Sequence, residues 1–369
     1  MTAPFDCAVI GAGVMGCSTA LHLARAGMKV ALLDRGAICR EASGVNAGTL
    51  TMQMTRAALV PYALRAHEMW VRMAEWCDGG DVRAVACHGL SVAFTEHEIA
   101  MLEERAHFRR QAGAPIEIVS TARAREIEPG LSDKALLAGH CPIDGFTSAY
   151  LTGRAFRSAL LNAGVDLREN CAVRGVQPGF SMDTAGGELL AKRIVLAGGV
   201  WLQGMAGWLG IDLPIKVLIN QLVVTERLPP VMRTVLGVAS GLLSLKQYEN
   251  GTVLIGGGWQ GIGDRDRGGL AVKPDSFLGN VRLAAHTIPA LRDARVVRAW
   301  LGLEAETADA LPAIGPVPGV PDAWIIGSVH SGYTSGPYMG RLLAQAICGQ
   351  VPELPLFPID RLLTQEKAA

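Results

Sequence analysis

The chain opens on an apolar run, Ala8-Val9-Ile10, which passes through a glycine turn into a helix-like stretch ending at Ala26 and Gly27 and resumes over 29–34. Strand, helix and returning strand make a βαβ unit. Between 60 and 77 the apolar residues fall at Ala63, Ala66, Trp70, Met73 and Cys77, the spacing of an amphipathic helix. Leu90, Val92 and Phe94 alternate with Ser91, Ala93 and Thr95, and Ile116 and Ile118 repeat the period of two after a charged helical segment over 96–112. A second helix-to-strand passage runs over 148–163, stops at Gly164 and continues over 165–168. A further strand, 194–197, ends in Gly198-Gly199.

Beyond Pro214 the texture becomes β-rich, over 217–225, 242–248 and 252–255, punctuated by Asn250-Gly251 and Gly256-Gly257-Gly258. This predicts an antiparallel sheet. The C-terminal part returns to a strand at 324–326, a glycine-rich turn and a helix from about 337 to 348, stopped by Gly349. The alternation predicts an α/β chain of two discontinuous domains, one made of 1–80, 142–213 and 308–369, the other of 81–141 and 214–307.

Composition sharpens this picture. Half of the 369 residues are hydrophobic and 18% are charged, which excludes a disordered chain and a disulfide mini-protein. Glycine supplies 44 residues, well above the usual ~7%, so backbone approaches backbone, or a ligand, at many points. Thirty-four basic residues balance 34 acidic ones, and no bulk field draws the chain to nucleic acid or an anionic membrane. The eight cysteines show no CxxC pair and no zinc spacing, which reads as reduced thiols in the cytoplasm. In the apolar stretch 7–24, Asp6 stands where a signal peptide carries basic residues, and Gly11, Gly13 and Gly16 interrupt the run. No other run approaches the ~18 apolar residues of a membrane span.

Candidate chemistry starts at Gly11-Ala12-Gly13-Val14-Met15-Gly16, between the first strand and its helix. The first glycine permits the tight turn, the second lets a pyrophosphate approach the helix N-terminus, and the third lets helix and strand touch. Asp34, followed by Arg35, closes the next strand and suits a ribose hydroxyl. The pattern implies dinucleotide binding and leaves NAD and FAD both open.

Residues 41–48, Glu-Ala-Ser-Gly-Val-Asn-Ala-Gly, follow the second strand and resemble the flavin-contacting loop of the D-amino-acid-oxidase-like FAD enzymes, which include glycine oxidase and sarcosine oxidase. The resemblance implies that Ser43, Asn46, Ala47 and Gly48, with Thr49 and Leu50, lie against FAD. It extends to Asp144-Gly145-Phe146, to Gly198-Gly199 followed by Trp201, and to Pro312 with Ile314-Gly315-Pro316. It also covers residues 327–337, a glycine-rich turn entering a helix, where the family aims backbone N–H groups at the reduced flavin. Gly327, His330, Gly332, Tyr333 and Thr334 are the flavin contacts it implies. The fold implied is a Rossmann-type FAD-binding domain interleaved with an α+β substrate domain built on an antiparallel sheet.

Within the family, residues 39–56 most resemble the catalytic β subunit of opine (octopine or nopaline) oxidases, whose relatives include hydroxyproline and proline dehydrogenase β subunits. The implied reaction is oxidation of the C–N bond of a secondary amino acid to an imine, which water splits into amino acid and keto acid. The implied partners are a larger flavoprotein α subunit, FMN at a subunit interface, and a small [2Fe–2S] protein, since this chain has no four-cysteine run of its own. The alternatives are a self-sufficient glycine, sarcosine or D-amino-acid oxidase using oxygen, a hydroxyproline or proline dehydrogenase β subunit, and a catalytically silent flavoprotein subunit.

The lone pair of a neutral amine drives hydride transfer, so positioning matters more than a strong base. Members of the family often carry Gly-Leu-Arg-Pro, whose arginine anchors a substrate carboxylate, where this chain reads Gly302-Leu303-Glu304-Ala305. Glu304 cannot hold a carboxylate. Either another cation does so, with Arg56 and Lys246 as candidates, or Glu304 meets a cationic arm such as the guanidinium of an arginine-derived opine; the plain alternative is a surface or capping glutamate. His330 is a flavin or substrate contact or a packed histidine. Tyr333 and Tyr248 cover the pocket or fill the core, and Lys246 resembles the lysine that assists oxygen activation in monomeric sarcosine oxidase. No histidine lies between His22 and His67 to carry a covalent second flavin.

Overall fold

In the computed structural model, which describes residues 3–330 and 332–363, the strand Cys7–Ile10 lies inside a six-stranded sheet. All four of its residues are buried, because a strand covered on both faces needs no polar alternation. The order across the sheet is Ala313–Pro316, Ala323–Gly327, Ile194–Leu196, Cys7–Ile10, Val30–Leu33 and Asp166–Arg168. Every pairing is parallel except that of Ala313–Pro316 with Ala323–Gly327.

The helices Val14–Arg25 and Gly332–Ile347 pack together. Glycines permit the contact: a Cβ on Gly340 would fall 2.6 Å from Ser18 Cβ, and one on Gly336 would fall 2.7 Å from Val14 Cγ1. Ser18 Oγ then donates to the Pro337 carbonyl at 2.6 Å. The last helix begins at Gly332, about a turn before the predicted start. Pro337 sits inside it without an N–H, and the buried Trp70 Nε1 donates to the Tyr333 and Thr334 carbonyls at 3.1 Å each. An indole thus replaces the bond that proline cannot make.

The second layer is an eight-stranded sheet in the order Val296–Glu306, Lys216–Arg227, Thr252–Gly256, Ser244–Gln247, Val235–Val238, Gly89–Ala93, Leu137–Cys141 and Glu117–Val119. It is antiparallel except between Val235–Val238 and Gly89–Ala93. On its first pairing Asn220 stands opposite Gly302, which makes Glu304 a diagonal neighbour of Asn220. The charged helix Glu96–Gln111 packs on Gly89–Ala93 and Leu137–Cys141 and starts at Thr95, whose hydroxyl accepts the Glu98 N–H at 3.2 Å. A small sheet of Thr49–Leu50, Gly145–Phe146 and Val85–Ala86 joins the two layers.

The helix expected over 60–77 is divided at Arg72 into Val60–Val71 and Met73–Trp76. The hairpins of Val173–Gln177, Ser181–Thr184 and Gly187–Leu190, the helix Pro274–Thr287 and the strand Val296–Glu306 are additions to the expected elements. All eight cysteines are free; Cys17 and Cys39 approach to 4.0 Å between sulfurs without bonding covalently. Among the described residues no helix is long and apolar enough to cross a membrane.

Candidate active site

Gly11 has φ +111, and a Cβ on it would fall 2.4 Å from the Ala197 carbonyl oxygen. A Cβ on Gly16 would fall 2.0 Å from the Gly11 carbonyl oxygen. Neither position admits a side chain. Gly13 precedes the helix Val14–Arg25 without a side-chain cap, and Val14 N–H donates to Ser43 Oγ at 2.9 Å. The helix N-terminus therefore meets the second loop directly. Asp34 accepts from Ala12 N–H at 2.7 Å and Gly36 N–H at 2.8 Å, while burial raises its carboxyl above the ordinary range. Next to it the Arg35 guanidinium lies 3.6 Å over the Trp201 ring. Asp34, Arg35, Gly198 and Trp201 line a cavity of about 380 Å³, together with Gly11 and Gly13.

The loop after Cys39 forms a one-turn helix, Ala42–Val45, and Asn46 fixes its end. Asn46 Nδ2 donates to the Ala42 and Ser43 carbonyls at 2.8 and 3.0 Å, and Gly48 N–H donates to Asn46 Oδ1 at 2.6 Å. Val14, Met15 and Gly16, with Ser43, Asn46, Ala47 and Thr49, face a larger cavity of about 400 Å³. Gly48 and Leu50 are not among the residues lining either cavity. A Cβ on Gly48 would strike the Thr147 carbonyl at 2.2 Å, so this glycine serves loop packing, and Leu50 is fully buried in the core.

Gly327, His330, Gly332, Tyr333 and Thr334 line the larger cavity from the other side of the chain; Ser331, within the same turn, lies outside the described residues. Thr334 Oγ1 donates to the Thr49 carbonyl at 3.0 Å, which ties this turn to the second loop. Tyr333 is stacked on Trp70 at 4.5 Å between ring centroids, and its hydroxyl lies 2.9 Å from Thr147 Oγ1 and 2.7 Å from Thr152 Oγ1. Burial raises that phenol. Its ring borders the cavity while its hydroxyl is spent on the core.

Glu304 lines the same cavity. Its Oε1 is 3.0 Å from His330 Nδ1, and its Oε2 accepts from Asn220 Nδ2 at 2.5 Å. The carboxylate raises the His330 imidazole above its ordinary value against the opposing effect of burial. The other three residues named from the sequence stand elsewhere. Arg56 is 2.9 Å from Glu306 in an ion pair, Lys246 is fully buried beneath the second loop, and Tyr248 donates to the Thr147 carbonyl at 3.3 Å. None of these three lines either cavity. Lys246 Nζ donates to the Ala47 carbonyl at 2.9 Å, to Ser244 Oγ at 3.2 Å and to Thr49 Oγ1, and burial pushes its amine down to about 7.

Sequence reasoning missed Gln53, Gln221, Arg105 and Arg109, which also line the larger cavity. The signal available was the spacing of four between the two arginines on one helix, which reads equally well as a solvated face.

The two cavities meet at Gly13, Ala42, Ser43, Ala197, Gly199 and Leu303, forming one cleft that passes a helix N-terminus. Ser328 Oγ and the Nε2 atoms of Gln53 and Gln221 are buried on its wall with no partner among the described residues. An acidic ribose ligand, a side-chain-free approach to helix amides and unmet polar groups farther along fit FAD. A family model described as FAD dependent oxidoreductase matches residues 6–346. The chain belongs to this family.

Among curated relatives of this FAD-dependent oxidoreductase, the glycine oxidase of Geobacillus kaustophilus (strain HTA426) is 29% identical, over 94% of each chain. An opine oxidase subunit of Agrobacterium tumefaciens (strain Ach5) is 28% identical, over 98% of each. The crystal structure of a glycine oxidase from Geobacillus kaustophilus superposes with a TM-score of 0.88 at 26% identity, covering 99% of this chain and 100% of that one. The L-proline dehydrogenase from P. horikoshii shares the fold, with a TM-score of 0.87 at 22% identity over 96% of each chain. The protein is an FAD-dependent amine or amino-acid oxidoreductase.

Proposed function

We propose that this enzyme oxidises the C–N bond of a secondary amino acid of the opine type, as the catalytic subunit of a hetero-oligomer. The observation that carries this reading is Glu304, a carboxylate on the cavity wall, paired with His330 and bonded to Asn220. An anionic group there suits a cationic substrate arm, such as the guanidinium of an arginine-derived opine. Similarity to opine oxidase subunits over nearly the full chain supports it. FAD, when bound, supplies the two-electron acceptor. The chain's own contribution is to bind: Asp34 and the amides after Gly13 for the cofactor, Glu304 and His330 for the substrate, and the wall of the eight-stranded sheet to exclude water.

In this reading the segments 1–80, 142–213 and 308–369 hold the cofactor, and 81–141 with 214–307 shape the substrate chamber. A larger flavoprotein subunit, FMN at the interface with it and a [2Fe–2S] protein complete the assembly. The test is anaerobic bleaching of the flavin, with and without co-expressed genomic neighbours, by octopine, nopaline, hydroxyproline and sarcosine. Bleaching by an opine is expected, and bleaching by sarcosine alone overturns the proposal. Glu304→Gln is expected to weaken arginine-derived opines far more than uncharged amines.

A self-sufficient oxidase is a second reading, favoured by Lys246. A fully buried amine held, among the described residues, by a carbonyl and two hydroxyls, under the loop proposed to touch the flavin, is suited to assist a reaction with oxygen. Under it, Lys246→Met slows turnover with oxygen but leaves anaerobic bleaching intact.

A further inference from the structure

The helix Glu96–Gln111 turns Leu102, Arg105 and Arg109 toward the larger cavity, at spacings of three and four along one face. A backbone carbonyl anchors each guanidinium: Arg109 Nε donates to Thr55 O at 2.7 Å, and Arg105 Nη1 donates to Ala239 O. Among the described residues neither forms an ion pair with a carboxylate. Burial, with the neighbouring charge of Arg105, pushes Arg109 down to about 10. Asp144 is the acid whose field reaches Arg109, and its oxygens already accept from the Thr51 hydroxyl and, at 2.7 Å, from Met52 N–H. Among the described residues, therefore, two like charges face one cavity with no carboxylate within ion-pair distance of either, an arrangement that calls for an anion.

Gln53 supplies an independent indication. It is 6% exposed, lines the same cavity, and its buried Nε2 has no partner among the described residues. Gln53 and Leu102 both press on Gly139, where a Cβ would meet them at 2.7 and 3.3 Å, so the glutamine adjoins the arginine-bearing helix. A buried unmet donor is destabilising, and beside guanidiniums a carboxylate oxygen is the matching acceptor.

We propose that Gln53, Arg105 and Arg109 form the carboxylate-receiving pole of the cavity, and that the substrate carries two carboxylates flanking its amine, as an N-(carboxyalkyl) amino acid does. The identity of the amine rests on the opine reading above; the pole does not. Two guanidiniums balance two carboxylates, and position 304, where a carboxylate would be repelled, is relieved of that task.

Non-oxidisable ethers test this by calorimetry on the flavin-loaded protein at pH 8, with diglycolate as the dicarboxylate and methoxyacetate as the monocarboxylate. Diglycolate is expected to bind at least about 10-fold more tightly, and Arg105→Met and Arg109→Met each to weaken it about 10- to 100-fold. Arg109→Lys keeps the charge and is expected to retain more affinity than Arg109→Met. Equal affinity for the two ethers, or diglycolate binding unchanged within about twofold in both methionine variants, overturns the proposal. If the methionine variants do not fold, the wild-type ratio of the ethers and the lysine variant decide. Arginine-dependent diglycolate binding without bleaching by any opine removes the opine reading and keeps the pole. Opine bleaching with indifferent arginines does the reverse.

Discussion

His330 Nδ1, on the turn entering the last helix, lies 3.0 Å from Glu304 Oε1, on the edge strand of the eight-stranded sheet. The contact links the two layers across the cavity. Around the imidazole, Glu304 and Glu306 favour its charged form, whereas Arg56 and burial oppose it, and Glu304 has the largest effect. The proton-bearing His330 is therefore expected to titrate above 6.5 by NMR, and Glu304→Gln to bring it down. A raised folded-state value means that the pair stabilises fully below the unfolded value near 6.5 and loses this contribution as pH rises through the folded one. Thermal melts at pH 6 and 8 should show a smaller alkaline loss in Glu304→Gln.

Lys246 has the opposite sign. The unfolded chain keeps this proton to about 10.5, whereas the folded chain sheds it near 7. Between those values the unfolded state binds more protons, so stability rises with pH by about 1.4 kcal/mol per unit at most. Urea melts at pH 7.5 and 9 should show this rise in the wild type and its loss in Lys246→Met.

These two residues also show what the sequence made legible. The βαβ opening, the antiparallel sheet and the last helix follow from local periodicity and glycine placement, which are short-range properties. The motif positions Gly11, Gly13, Gly16 and Asp34 fell on the cleft because each is fixed by the turn itself. Lys246 and Tyr248 were harder, since only the register of paired strands decides which face a side chain occupies. Arg105 and Arg109 were invisible as site residues for a related reason: a charged helix carries no mark of which face meets a cavity. The strand Val296–Glu306 exposes Val296 and Val297 and carries Gly302 midway, so it lacks the alternation that announces a strand.

The glycine turn separates steric from conformational demands. Gly16→Ala would place a methyl 2.0 Å from a backbone oxygen and is expected to cost about 3 kcal/mol or more. Gly27→Ala meets open space at φ +90 and is expected to cost about 1–2 kcal/mol. The first should lower the 450 to 280 nm absorbance ratio of the purified protein, and the second should leave it unchanged.

Tyr333→Phe removes a hydroxyl bonded to two fully buried threonines while the ring stays on Trp70. A stability loss of about 1–2 kcal/mol is expected, with KM for the best amine shifted less than about twofold. A large rise in KM with unchanged stability would place the phenol at the substrate instead.

The parallel seam between Gly89–Ala93 and Val235–Val238 has a bearing on how the molecule is made. The earlier strand leaves the ribosome some 140 residues before its neighbour, on the order of ten seconds at usual synthesis rates. For that interval one margin of the nascent half-sheet is open to any extended peptide. A chaperone or a fast-forming first βαβ unit would shield it, and slowing translation between the two strands should raise aggregation more than slowing it after Val238.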